Sequence, residues 1–273
     1  MHVLKRLVEL AEQGETIVLA TVVRVTGSVP RHTGSRMLIF RDGSIEGTIG
    51  GGEMEGRVIG EAMDSFQDGK GRLITYSFRN PDEGGVGVCG GDMDVFIEPV
   101  SPEPTLVVVG GGHVGKAVVS LASWLGYRVV ASDDRAEFAR EEAAPGADMY
   151  LHCEMKDLPE RMTIHSNCFL LLTTRGTDVD IEGLPALLKT PAAFIGVIGS
   201  RRRWETTAQS LLEQGCTEED IKRITSPMGL ELKAESPEEI AVSILAEIIM
   251  LRQGGSGERM AHERTQRRRR KGV

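Results

Sequence analysis

One stretch of the chain constrains its fold more than any other: residues 105–115, with the sequence TLVVVGGGHVG. A short apolar run ends in three glycines and continues with helical character. Gly110, Gly112 and Gly115 follow the spacing G-x-G-x-x-G, which permits a tight turn, close approach of a phosphate, and packing of the helix on the strand. This pattern predicts a strand, a turn and a helix whose N-terminus favours an anion. The alternative is a strand–helix turn that binds no ligand.

The residues around this loop favour binding of a nucleotide or a pterin phosphate. Residues 106–109 are predicted as a buried parallel strand, and residues 128–132 as a second strand followed by Asp133 and Asp134. An acid about 20 residues beyond the glycines is where such folds hold ribose hydroxyls, so Asp133 is a candidate contact. His113 lies inside the loop, where it either hydrogen-bonds a ligand or caps the helix.

The alternation of strand and helix patterns predicts an α/β fold with two domains. Residues 1–100 are predicted as a small mixed α/β domain and residues 101–104, with two prolines, as a linker. Residues 105–253 are predicted as a doubly wound parallel sheet, and residues 254–273 as a disordered basic tail. The predicted strands are 16–25, 36–40, 73–78, 93–100, 106–109, 128–132, 149–152, 168–173 and 193–198; the predicted helices are 3–12, 53–66, 116–125, 180–188, 202–213 and one that begins after Ser236.

Composition and charge argue against several classes of protein. Only 4% of the 273 residues are aromatic, which leaves little surface for stacking the bases of single-stranded nucleic acid. The formal net charge is −8, although residues 267–271 form a basic block. The rest of the chain is therefore still more acidic, which argues against a nucleic-acid groove on its surface. The basic tail either contacts an acidic partner or RNA, or is simply solvated. We find no apolar run of membrane-spanning length and no signal-peptide pattern, so we predict no membrane association.

Cys89 is the candidate reactive thiol. The four cysteines form no C-x-x-C pair, which favours a reducing cytoplasm. Cys89 precedes Gly90 and Gly91 in a glycine-rich loop, whereas Cys168 begins an apolar run. Because thiolates bind soft metals and transfer sulfur, Cys89 is predicted to contact molybdenum or copper, or to carry a persulfide. The alternative is a small residue that fills a tight turn.

A second glycine cluster, Gly50, Gly51 and Gly52, precedes Glu53 and a predicted helix. Its main-chain amides suit a phosphate or an oxyanion, although Glu53 and the nearby Glu55 would repel one unless a cation intervenes. The alternative is a glycine-rich helix entry with exposed acids.

Two further loops should emerge at the carboxyl ends of sheet strands, where ligands of open α/β sheets bind. Arg175 lies in the loop of residues 173–178, and Ser200 and Arg201 open the other loop, with Ser200 as a helix N-cap. Arginines at the start of a helix oppose its dipole and therefore invite an anionic partner. Alternatively, Arg201 to Arg203 face water or pair with the acidic surface.

Taken together, these motifs resemble the XdhC/CoxI family, the accessory proteins of xanthine dehydrogenase and related molybdenum hydroxylases. The resemblance extends to about Gly254. The matching segments are residues 20–30, 47–52, 89–91, 110–115, 198–201, 227–230 and 236–247. Seven ordered matches are more specific than any single glycine motif.

The resemblance implies a chaperone that binds the molybdenum cofactor, molybdopterin, protects it, assists its sulfuration and inserts it into an apo molybdenum hydroxylase. It also implies a Rossmann-like second domain and a homodimer. A cysteine desulfurase is a further candidate partner. Glycine amides and arginines would hold the phosphate of the cofactor, and Cys89 would approach its metal.

The chain departs from the family pattern at two positions. Glu53 stands where members often carry Cys or His, which leaves more of any soft-metal role to Cys89. Thr177 stands where many relatives have His, so a step that depends on that histidine would be missing here.

Two rival functions use the same glycine loop. In an NAD(P)-dependent oxidoreductase, Asp133 would accept the ribose hydroxyls, but no convincing Tyr/Lys or His/Asp catalytic set accompanies the loop. In a binding module, a nucleotide would sense the redox state and control docking of a partner. The sequence favours an accessory protein over a catalyst and leaves the enzyme question open.

Overall fold

The computed structural model describes residues 2–78 and 90–260. Cys89 and residues 261–273 of the predicted tail lie outside the described residues. The backbone divides into two compact units, Met1–Glu103 and Pro104–Val273.

The first unit contains an antiparallel sheet with a helix on each face. Its elements are α1 (His2–Glu12), β1 (Ile17–Thr26), β2 (Arg36–Ile39), β3 (Ile45–Gly47), α2 (Gly52–Asp68), β4 (Arg72–Ser77) and β5 (Asp92–Val100). The strand order is β3-β2-β1-β5-β4, and all neighbours are antiparallel. One sheet face packs on Val58 and Ala62 of α2, and the other on Leu7 and Leu10 of α1. The alternation of side chains along each strand produces these two apolar layers.

The second unit is a doubly wound parallel sheet. Its elements are β6 (Thr105–Val109), α3 (His113–Trp124), β7 (Arg128–Asp133), β8 (Met149–His152), a 3-10 turn (Met155–Asp157), α4 (Leu158–Arg161), β9 (Cys168–Leu172), α5 (Thr177–Leu187), β10 (Phe194–Val197), α6 (Arg201–Glu213), α7 (Glu218–Lys222), β11 (Ile224–Thr225) and α8 (Pro237–Gln253). The order β11-β10-β9-β6-β7-β8, parallel throughout, is that of dinucleotide-binding Rossmann sheets. The predicted α/β class and Rossmann-like parallel sheet are confirmed.

Helices cover both faces of this sheet, because its central strands are apolar on both sides. In β6, Val107 and Val109 pack in one cluster with residues of α5 and α6. Leu106 and Val108 pack in a second cluster with residues of α3 and α8. A sheet buried on both faces leaves only the ends of its strands for a ligand site.

The structure differs from the sequence prediction mainly at helix starts and in short elements. Helix α3 begins at His113 and α5 at Thr177, each three residues earlier than predicted. Both follow a glycine N-cap, Gly112 or Gly176, and each first turn has a single apolar residue, Val114 or Val179, which is too few to show the helical period. The short elements β3, α4 and β11 contain two to four residues, too few to show a period.

Gly115 provides a direct test of the contact between α3 and the glycine loop. A Cβ at residue 115 would lie 1.8 Å from the carbonyl oxygen of Gly110, so Gly115→Ala must displace the helix. We expect this variant to lose about 3 kcal/mol or more of the free energy of unfolding, measured by urea denaturation. In the control Gly60→Ala, on α2, the new Cβ meets nothing within 4 Å. That variant should keep or slightly raise the stability. Equal urea midpoints for the two variants would contradict the packing described.

Candidate functional site

A cavity of about 500 Å³ opens in the second unit at the carboxyl ends of β6, β7 and β9. The glycine loop, residues 133–135 and residues 173–175 form much of its wall. In open parallel sheets, ligands bind where the strand order reverses, and here that point lies between β6 and β9. The volume is in the range of small-molecule sites, so this cavity is the candidate ligand site of the second unit.

The glycines of the loop have different structural roles. Gly110 has φ +109°, and a Cβ there would lie 2.6 Å from the carbonyl oxygen of Thr173. Gly112 has φ −68° and is the N-cap of α3, and a Cβ on it would meet nothing within 4 Å. Gly110 is therefore required by packing, whereas Gly112 leaves the N-terminus of α3 open to the cavity. An open helix N-terminus suits an anion.

Two basic side chains lie on the cavity wall in the first turn of α3. His113 and Lys116 are both exposed and both line the cavity. Neither forms an ion pair with any residue of 2–78 or 90–260. The positive charge of Lys116 is therefore available to an anion at the helix N-terminus.

Asp133 holds the glycine loop to the end of β7. Its side chain is buried, with the residue 4% exposed. One carboxylate oxygen accepts hydrogen bonds from the main-chain N–H of Gly111 at 2.8 Å and from Arg135 Nη2 at 3.0 Å. The other oxygen accepts from the main-chain N–H and the Nε of Arg135, both at 2.9 Å. A ribose hydroxyl at Asp133 would have to compete with these four donors.

Asp134 and Arg175 form a bidentate ion pair on the same wall. Arg175 Nη1 and Nη2 donate to the two carboxylate oxygens of Asp134 at 2.6 and 2.7 Å. Hydrogen bonding to Arg175 lowers the pKa of Asp134 to about 2. The pair is charged at neutral pH, and Arg175 shares its charge with Asp134.

A second ion pair fixes the loop that carries Arg175. Arg203 Nη2 donates to Asp180 at 2.6 Å and to the Thr174 hydroxyl at 2.9 Å. Asp180 is fully buried, and burial raises its pKa while the hydrogen bonds from Thr174 and Arg203 oppose that shift. Arg203 therefore binds groups of the protein itself rather than a ligand, and it connects α6 to the end of β9.

The cavity contains some of the residues that the sequence singled out and not others. Ser200 caps α6, since its hydroxyl accepts a hydrogen bond from the main-chain N–H of Arg203 at 3.3 Å. Ser200 and Arg201 are exposed and are not among the residues that line the cavity. The predicted site residues on the cavity wall are Gly110, Gly112, His113, Asp133 and Arg175. Gly115 packs against Gly110 behind the loop.

Sequence reasoning missed several side chains that line the cavity, among them Lys116, Arg135, Phe138 and Cys153. The Arg135 guanidinium lies over the Phe138 ring at 3.8 Å, and the Cys153 thiol lies 3.6 Å from the hydroxyl of Ser132. Arg135 and Cys153 follow the ends of β7 and β8 almost directly. The rule that ligands gather at the carboxyl ends of parallel strands applies to these positions too.

In the first unit, a carboxylate of the protein itself accepts hydrogen bonds from the amides of the Gly50–Gly52 cluster. One oxygen of Glu55 accepts from the main-chain N–H groups of Ile49, Gly50 and Gly51 at 3.0, 3.2 and 2.8 Å. The Thr48 hydroxyl donates to the same oxygen at 2.6 Å. Burial raises the pKa of Glu55, but these hydrogen bonds together lower it below its usual value. An anion at Gly50–Gly51 would therefore have to displace Glu55.

The remaining predicted residues of the first unit lie in loops that contact one another. A Cβ on Gly50 would lie 2.8 Å from Pro30, and one on Gly91 would lie 2.4 Å from the carbonyl oxygen of Ser28. The loop after β1 thus packs against both Gly50 and Gly91. Gly90 donates its N–H to Phe78 O at 2.9 Å.

Glu53 follows Gly52 in the first turn of α2 and pairs with Arg57 at 2.6 Å on the exposed side of that helix. Cys89 cannot be placed, because it lies outside the described residues. In the part of the chain that the structure describes, no group of three or more His, Cys, Asp or Glu residues is arranged to hold a metal ion. No described helix is both long and apolar enough to cross a membrane.

The chain belongs to the XdhC and CoxI family. A profile described as the XdhC Rossmann domain matches residues 106–248, which include β6 through most of α8. A second profile, described as the XdhC and CoxI family, matches residues 10–77 in the first unit. The family resemblance predicted from the sequence motifs is confirmed.

Three curated relatives match nearly the whole chain. Protein YqeB of Escherichia coli strain K12 is 36% identical over 259 residues, which are 94% of this chain and 47% of YqeB. This chain therefore spans about half the length of YqeB. The molybdenum cofactor insertion chaperone PaoD of the same organism is 24% identical, over 92% of this chain and 88% of PaoD. A protein of Bacillus subtilis strain 168, named as a probable subunit of xanthine dehydrogenase, is 23% identical, over 89% of this chain and 95% of its own length.

A solved structure has the same fold. A crystal structure described as a xanthine dehydrogenase from Bacillus halodurans is 24% identical and covers 92% of this chain and 95% of its own, with a TM-score of 0.50. At this identity, the likeness supports the fold alone.

Glu55 is expected to stabilise the first unit as an internal anion. Replacing it by Gln removes the charge from four converging donors, so Glu55→Gln should lower the free energy of unfolding by about 2 kcal/mol at neutral pH. Because the pKa of Glu55 is lowered in the folded state, its contribution is complete above the unfolded pKa and is lost as the pH falls through the folded pKa. The stability difference between wild type and variant should therefore shrink in acid.

Chemical denaturation at several pH values tests this expectation. The matched control is Glu53→Gln, which removes a neighbouring carboxylate with one exposed ion pair to Arg57. It should change the stability by only about 0.5 kcal/mol. If Glu53→Gln and Glu55→Gln behave alike at every pH, the glycine amides are not satisfied by Glu55.

Proposed function

We propose that this chain binds the molybdenum cofactor, protects it and inserts it into an apo molybdenum hydroxylase of the xanthine dehydrogenase type. Family membership and the similarity to PaoD, which is named a molybdenum cofactor insertion chaperone, support this role. The structural observation that carries the proposal is the open N-terminus of α3 at Gly112, with Lys116 on the same cavity wall. An anionic phosphate of the cofactor fits that end of the cavity.

The residues of the second unit suit the anionic part of this cargo. Gly112 leaves space where a Cβ would stand, so the main-chain N–H groups of the first turn of α3 are accessible. Lys116 and His113 add a charge and a hydrogen-bonding ring to the same wall. Gly110, packed on Thr173, fixes the loop so that little reorganisation accompanies binding. We therefore assign the phosphate of the cofactor to the second unit.

In the first unit we assign a different role to the glycine-rich loops. The amides of Gly50 and Gly51 already hold Glu55, which disfavours a phosphate there. Cys89, directly before Gly90 in sequence, remains our candidate for contact with the metal or its exchangeable sulfur. We further propose that a cysteine desulfurase supplies that sulfur, and that the protein acts as a cytoplasmic homodimer. These finer assignments rest on the family resemblance.

A nucleotide-sensing binding module is the second candidate function. The strand order and the cavity at the point where it reverses are typical of dinucleotide sites. If a nucleotide alone occupies the cavity and controls docking of a partner, no cofactor would be transferred. An NAD(P)-dependent oxidoreductase would use the same cavity and would transfer hydride to a substrate.

Substitution of Gly112 tests the proposed phosphate site without disturbing the fold. Its backbone is extended and it is an N-cap, so Asp and Ser are both compatible with the position. In Gly112→Asp, the new carboxylate would occupy the helix N-terminus. We expect this variant, purified from a molybdate-fed host, to retain at least about tenfold less molybdenum and pterin than wild type. Its melting temperature should equal or slightly exceed that of wild type.

The controls separate charge from bulk. Gly112→Ser adds a side chain of similar reach without a charge and should retain more cofactor than Gly112→Asp. Gly60→Ala, distant in sequence and on α2, should retain as much cofactor as wild type.

Cys89→Ala should weaken retention of the metal while leaving the second unit unchanged. If Gly112→Asp and Cys89→Ala load an apo-hydroxylase as well as wild type does, the assigned site is wrong. Nucleotide without pterin or metal would favour the second candidate.

A further inference from the structure

The end of β7 is where a dinucleotide-binding sheet distinguishes one ribose from another. In such sheets, an acid at this position holds the ribose 2′-hydroxyl, whereas an arginine nearby accommodates a 2′-phosphate. Here the acid is Asp133, and both of its carboxylate oxygens already accept hydrogen bonds from Gly111 and Arg135. A buried acid with both oxygens engaged is a poor partner for a ribose diol.

Arg135, unlike Asp133, keeps hydrogen-bonding capacity for a ligand. Its guanidinium lies over the Phe138 ring, with 3.8 Å from the guanidinium carbon to the ring centroid. Nε and Nη2 donate to Asp133, and Nη1 has no hydrogen-bond partner among the described residues. The side chain is 34% exposed and lines the cavity. Packing therefore holds Arg135 in place and leaves one donor edge free for a ligand.

The other charges on this cavity wall do not cancel the attraction of Arg135 for a phosphate. Asp134 is neutralised by its bidentate pair with Arg175, and Glu142 lies 3.9 Å from Arg140. Lys116 adds a positive charge at the helix end of the cavity. An additional phosphate near Arg135 therefore meets a cation with a free donor and no unpaired carboxylate beside it.

We propose that the cavity selects a nucleotide whose ribose carries a phosphate, such as NADP⁺, over the same nucleotide with a free ribose diol. A charge-assisted hydrogen bond from Arg135 to the ribose phosphate supplies the selectivity. This inference deepens the proposed function, because it rests on the same cavity being a ligand site. It concerns the β7 end of the cavity, whereas the proposed function depends on the N-terminus of α3.

Titration calorimetry with the full chain measures this selectivity. Two ligand pairs are compared: NADP⁺ against NAD⁺, and adenosine 2′,5′-bisphosphate against 5′-AMP. We expect the phosphorylated member of each pair to bind at least about tenfold more tightly to wild type. Arg161→Gln, which alters an exposed arginine of α4 that does not line the cavity, should preserve that ratio.

Arg135→Ala provides the decisive variant. It removes the cation and also frees Asp133 from its side-chain donors, so the preference should disappear or reverse, with NAD⁺ binding more tightly than it does to wild type. A variant that merely unfolds would lose both ligands together, and circular dichroism identifies that case. Phe138→Leu, which removes the platform beneath Arg135 but keeps the charge, should reduce the ratio without reversing it.

The outcomes separate this inference from the proposed function. Equal binding of both pair members to wild type, tighter binding of NAD⁺, or no binding of any of the four ligands would overturn the selectivity. None of these results would affect retention of molybdenum and pterin. Conversely, loss of cofactor retention with the tenfold preference intact would remove the chaperone role and keep the selectivity.

Discussion

The candidate site depends on the close contact between the glycine loop and the end of β9. The Thr173 hydroxyl donates to the carbonyl oxygen of Gly110 at 2.7 Å, and Gly115 lies so near the same oxygen that it cannot carry a Cβ. This contact fixes where α3 begins relative to the central strands. The N-terminus of α3 therefore opens into the cavity, and every ligand contact that we propose in the second unit depends on that placement.

The two glycine-rich helix entries of the chain illustrate opposite uses of the same physical chemistry. Both present main-chain amides with no partner in their own helix. Before α2, Glu55 accepts from those amides and the loop is satisfied internally. Before α3, Gly112 leaves the corresponding space open, and Lys116 contributes a charge. The difference lies in which amides a carboxylate engages: Glu55 accepts from three successive amides before α2, whereas Asp133 accepts from Gly111 and leaves the N-terminus of α3 to a ligand. The glycine pattern alone does not reveal this difference.

The sequence predicted the parts of the structure that depend on local patterns. Buried strands, the strand, turn and helix around the G-x-G-x-x-G spacing and the helix that begins after Ser236 are all readable over a few residues, and each is confirmed. Side-chain partners that are distant in sequence were not predictable. The sequence predicts that Arg203 faces an anionic ligand, water or the acidic surface, yet it pairs with the buried Asp180, 23 residues away, because two loops meet at the carboxyl end of the sheet. Cys153 likewise reaches the cavity only because β8 lies beside β7.

We propose that the molybdenum cofactor binds with its anionic end at the N-terminus of α3. Hydrogen–deuterium exchange of the full chain, with and without bound cofactor, measures whether those amides are engaged. We expect slower exchange of the main-chain amides in residues 110–116 on binding, and unchanged exchange in α6, whose first residues Arg201 and Arg202 are outside the cavity wall. Bound cofactor that leaves residues 110–116 exchanging as in the free protein would contradict it.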